Sequence, residues 1–93
     1  MAKITKNNKE FKVINLSRKD AASIGFGIDN SGTCICMKCN KECPNEDIYY
    51  IAILNDTMCK ECYERWVKSA KRYEEDIPIE NRNFNYYKYL LCL

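Results

Sequence analysis

Apolar residues recur along this chain with two different periods, strand-like in the first half and helix-like in the second. Phe11, Val13, Ile14 and Leu16 sit in a run rich in β-branched residues, which predicts a short strand over 11–16. Ser17, followed three residues later by Asp20, has the form of a helix N-cap with a reciprocal acid, and Gly25 is a plausible stop, so a short helix lies between them. Ile24, Phe26 and Ile28 then alternate with small residues, residues 29–32 are dense in turn formers, and strand character resumes over 33–36. That order predicts a hairpin. Residues 48–54 form the most apolar run and end at the turn formers Asn55 and Asp56, which predicts one arm of a second hairpin.

From residue 57 to 76 the period changes. Cys62, Trp66, Ala70 and Tyr73 follow one another at intervals of four, four and three, with Tyr63 and Val67 beside them and charged residues on the other positions. Asp56 or Thr57 can cap this helix, and Pro78 is expected to end the segment. Beyond it Phe84, Tyr87 and Leu91, with Tyr86, Leu90 and Leu93, predict a second short helix over 80–93. Residues 1–10 are expected to be a flexible basic arm, and 11–93 a single domain.

A domain of 93 residues buries only about 60–65% of its unfolded surface, so a small core needs a staple. The net charge of +2 conceals a gradient: residues 1–20 carry six bases against two acids (+4), whereas 21–59 carry two bases against five acids (−3). The basic arm can attract phosphate, while the acidic middle opposes it. Seven cysteines are an odd number, and their spacing differs from a disulfide framework. With no apolar core for a signal peptide and no run of about 20 apolar residues, a reducing, cytoplasmic location and no membrane span are expected. Lys, Asn, Ile and Tyr together supply 38 residues, all from A/T-rich codons, a bias found in low-GC bacteria and their phages.

The chemistry is concentrated in two matched pairs, Cys36-Met37-Lys38-Cys39 and Cys59-Lys60-Glu61-Cys62, nineteen residues apart in a chain without histidine. Each pair can fold into a knuckle aiming two thiolates at one ion, and two knuckles complete the tetrahedral set of a closed structural Zn²⁺ site. Soft thiolates select zinc, with iron as competitor. One structural zinc held by Cys36, Cys39, Cys59 and Cys62 is therefore expected. Cys43 can replace Cys39 and Cys34 can replace Cys36, since both lie at workable spacing; Cys92 stands outside the pattern. A redox Cys-x-x-Cys is the competing reading, but neither pair has a thioredoxin-like βαβ pattern around it.

Knuckle, hairpin, second knuckle and helix, in that order over residues 34–75, resemble a treble-clef zinc finger and the second half of a LIM finger. The resemblance is carried by the two pairs, the strand between them, and Tyr63 following the last cysteine at the start of the helix. There is one zinc pattern rather than two in tandem, and no histidine ligand. The resemblance implies a small α+β zinc-binding domain, a treble clef with an added N-terminal hairpin and a short C-terminal helix. Treble clefs serve DNA binders, ribosomal proteins, ubiquitin ligases and protein adaptors, so it does not select one role.

The remaining residues favour binding over catalysis. Without histidine there is no Ser-His or Cys-His activation, no phosphate loop appears, and Gly25-Phe26-Gly27 is too short to make one. Trp66, one turn beyond a ligand, is expected to pack the core. Tyr49 and Tyr50 should face opposite sides of their strand, one buried and one exposed. Tyr86, Tyr87 and Tyr89 cannot all face inward from one helix, so Tyr86 and Tyr89 are the expected partner-binding residues. The expected function is a non-enzymatic zinc module docking on a protein, in a specific form a phage or mobile-element accessory protein inhibiting a host machine such as a defence nuclease. The alternative is a nucleic-acid binder using the basic arm, disfavoured by having only four arginines.

Overall fold

Residues 2–43 and 47–93 are described by the computed structural model; the loop expected at Pro44 and Asn45 lies outside them. The strand expected over 11–16 forms as β2 (Val13–Leu16), and α1 (Arg18–Ile24) follows directly. Ser17 caps α1 with a complete capping box, and Gly25 ends it at φ 66°, so both termini follow the local chemistry. The apolar run 48–54 is shorter as a strand, β3 (Ile48–Ile51), because residues 52–55 turn back through Asn55 at φ 52° into β4 (Asp56–Met58). The hairpin expected over 24–36 reduces to a single bridge between Ile28 and Cys34.

Where a flexible arm is expected over residues 1–10, the chain forms β1 (Lys3–Thr5), paired antiparallel with β2. The Asn7 side chain accepts from the N–H groups of Lys9 and Phe11 and donates to the Phe11 carbonyl, holding the turn between the strands. The sheet order is β1-β2-β3-β4, antiparallel throughout. Strand alternation places Tyr49 and Tyr50 on opposite faces. Tyr50 is buried against Phe26 and Tyr87; Tyr49, half-buried rather than exposed, stacks on Tyr63 at 4.7 Å. The sheet is thus covered on both faces. Val13, Ile14, Leu16, Ile48, Tyr50 and Ile51 form its fully buried centre.

The long helix expected over 57–76 is α2 (Lys60–Ser69) alone. Thr57 is a strand residue paired with Tyr50, and its Oγ1 donates to the Ile35 carbonyl, so it does not cap the helix. At the other end Lys9 Nζ donates to the Lys68 and Ala70 carbonyls, both at 2.8 Å, satisfying acceptors a helix terminus leaves open. A 3₁₀ turn (Glu74–Asp76) leads into α3 (Ile77–Leu90). Pro78 lies in the first turn of α3, where a missing N–H is harmless, and so begins a helix instead of ending one. Trp66 packs on Phe11 at 4.6 Å between ring centres. The result is a small α+β domain with four strands and three α-helices among the described residues.

Candidate metal centre

The first knuckle hangs from a short antiparallel ladder. Ile35 bridges Glu42, the Cys36 N–H donates to the Lys41 carbonyl, and the chain turns through Asn40 at φ 61°. The turn is anchored to the sheet edge by the Met37 N–H donating to the Thr57 carbonyl at 2.9 Å. Gly27, whose carbonyl accepts the Ile35 N–H at 3.0 Å, packs against the side chain of the same threonine: it has φ 75°, and a Cβ there would meet Thr57 Cγ2 at 2.7 Å. The second knuckle joins β4 to α2, with Cys59 as the N-cap residue and Cys62 in the first turn.

These turns bring the ligand atoms of Cys36, Cys39, Cys59 and Cys62 within 4.8 Å of one another. A Zn–S bond of about 2.3 Å gives a tetrahedral S–S edge of about 3.8 Å, so small adjustments close the set around one ion. Cys34 and Cys43, although buried, are not part of the cluster, and exposed Cys92 lies far along the chain after α3. The spacing-based choice of four cysteines is the set that the backbone gathers.

The electrostatics also fit a cation. Burial penalises the Cys36 thiolate, but the N–H groups of Cys59, Cys39 and Lys38 outweigh it and hold its pKa at about 7. Cys62 goes the other way, pushed up to about 12 by burial and by the thiols of Cys59, Cys39 and Cys36. Burial likewise raises Cys59. Four thiols this close share little negative charge among themselves, and a divalent ion lets all four ionise. Arg65 Nη2 lies 3.5 Å from Cys62 Sγ and offsets part of the excess charge that four thiolates carry. Cys39 is the exposed member, beside a cleft of about 450 Å³ lined by Lys38, Cys62, Arg65, Trp66 and Ser69.

Tyr86 and Tyr89 are exposed on α3, away from the four cysteines in sequence and in element. Sequence reasoning missed a buried pair that ties the molecule together. Glu80 is fully buried, receives Arg72 through two nitrogens at 2.9 and 3.2 Å, and accepts the Lys12 N–H at 3.0 Å. Its only signal was a lone acid on the otherwise apolar face of α3. No family model, curated protein or solved structure matches the chain.

Proposed function

We propose that this chain is a non-enzymatic zinc module of treble-clef type that docks on a protein partner. The convergence of four cysteine ligand atoms within 4.8 Å carries the reading, because four protein ligands leave no open position for water or substrate. Zinc is the ion because thiolate sets select it. Docking is assigned to the outer face of α3, where Tyr86 and Tyr89 offer large amphipathic side chains to solvent. The codon bias suits an accessory protein of a phage or mobile element acting on a host machine.

A nucleic-acid role is less favoured, because Lys9 of the basic segment is engaged with the end of α2. Elemental analysis of chelator-free protein should give one zinc per chain, and a ratio near zero or two contradicts the single site. Docking is tested by capture of partners from a low-GC bacterial lysate with wild-type protein and with Tyr86→Ala/Tyr89→Ala. A partner retained by the wild type and lost by the variant supports it. Micromolar binding to DNA or RNA at about 150 mM salt, with a slope of about −0.7 to −0.9 per phosphate, supports the nucleic-acid reading instead.

A further inference from the structure

Helix α3 has two apolar faces and the fold covers only one. Glu80, Phe84, Tyr87 and Leu91 face the domain, through the Arg72 pair, the burial of Phe84 and the packing of Tyr87 and Leu91 on the core. At about 100° per residue, Ile79, Arg82, Tyr86 and Tyr89 form a separate row, with Leu90 at its side. Ile79, Tyr86, Tyr89 and Leu90 are exposed to 45, 58, 80 and 40%. Counting a fully exposed aromatic at roughly 200 Å² and an aliphatic at somewhat less, this row presents roughly 400 Å² of largely apolar surface.

We infer that this row is a self-association surface, on which α3 of a second copy packs antiparallel. The inference rests on the reading of Tyr86 and Tyr89 as a docking surface and names what docks there. Three features select a second copy. The spacing 79-82-86-89 is three, four, three, the seam of a two-stranded helix pair, and it reads the same in both directions. An antiparallel copy therefore sets Ile79 against the copy's Tyr89 and Arg82 against its Tyr86, each contact made twice, as an isologous interface requires. Second, the row holds one charge, Arg82, and no acid; the antiparallel arrangement gives that guanidinium an aromatic face, whereas a parallel one sets Arg82 against Arg82. Third, roughly 400 Å² of largely apolar area is about half of the ~800 Å² each partner of a standard interface buries, which suits a weak dimer seated on this row and its polar rim.

Sedimentation equilibrium on the zinc-loaded chain tests this. A monomer–dimer equilibrium with a dissociation constant of about 1–100 μM is expected. Tyr86→Glu and Tyr89→Glu should each weaken it about 100-fold or more, because each change enters the interface twice. Tyr73→Glu, an exposed tyrosine outside the row, should leave it unchanged. A chain monomeric at about 1 mM, or a dimer indifferent to both substitutions, overturns the inference. Orientation has its own readout: antiparallel helices hold the two Cys92 thiols about 24 Å apart along the axis, so mild oxidation should give no Cys92-linked dimer. Such a dimer overturns the antiparallel arrangement. Capture of a different protein that depends on Tyr86 by a strictly monomeric chain leaves the docking reading standing while ending this one.

Discussion

Glu80 shows how much one side chain can hold. It joins α3 to Arg72 after α2 and to the backbone of Lys12 before β2, and Arg72 in turn lies 4.8 Å over the Phe11 ring. Burial alone pushes its carboxyl up, but the Arg72 pair and the Lys12 N–H outweigh this and hold the pKa below its ordinary value. The unfolded chain therefore takes up this proton first as pH falls. The stabilisation is fully present above the ordinary glutamate range and is lost as pH drops through about 4.5 toward the lowered folded value. Glu80→Gln should cost about 2 kcal/mol at pH 7, less than a fully buried pair because Arg72 keeps 28% of its side chain in water. Urea unfolding at pH 7 and pH 4 should show the gap between wild type and variant shrinking with acid. Thiolate protonation also releases metal in acid, so the gap is the quantity that isolates Glu80. The cysteines divide in the same concrete way: Cys36→Ser or Cys59→Ser should abolish the thermal transition of the folded state, while Cys92→Ser leaves it within about 0.5 kcal/mol. Equal loss in all three, by circular dichroism melts, means that the ligand set is wrong.

Elements were legible where a local rule decides them. The Ser17–Asp20 box and Gly25 delimit α1 because capping satisfies backbone groups within a few residues. The clustering of Cys36, Cys39, Cys59 and Cys62 was legible for the same reason, since each knuckle is local and only the pairing of knuckles is long-range. Errors fell where distant partners decide. Thr57 reads as a helix cap until Tyr50 and Ile35 claim it, and β1 becomes a strand only because β2 is there to pair with. Lys9 reads as a free cation until the end of α2 is placed beside it. Glycine at 27 belongs to this class too, because its need is set by Thr57, thirty positions away. Gly27→Ala should cost about 2 kcal/mol or more in chemical denaturation, combining a left-handed backbone with a Cβ contact on the fully buried Thr57 side chain. Gly25→Ala, with the same left-handed backbone but nothing within 4 Å, should cost only about 1 kcal/mol. Equal costs at the two sites contradict the contact.

At the scale of the whole molecule the question is whether knuckle and sheet are one cooperative unit. Thr57 belongs to both: its backbone pairs with Tyr50 in the sheet, its carbonyl accepts the Met37 N–H of the first knuckle, and its hydroxyl donates to Ile35. The second knuckle is continuous with β4 and α2, and α2 is fixed to the sheet by Tyr63 on Tyr49 and to the first strands by Lys9. Both knuckles are thus tied to β4, the edge strand of the sheet. A structural zinc contributes an apparent ~10–16 kcal/mol, as large as the ~5–15 kcal/mol that separates a folded domain from its unfolded chain. Stripping the ion with a chelator should therefore unfold the domain in a single transition, reversed by adding zinc. Hydrogen exchange gives the decisive reading. The amides of Cys36 and Met37 in the knuckle and those of Val13 and Ile14 in β2 should lose protection together as zinc is withdrawn. Protection that persists at β2 while the knuckle exchanges freely means that the sheet stands on its own apolar core, with the metal ordering only the segment from 36 to 62.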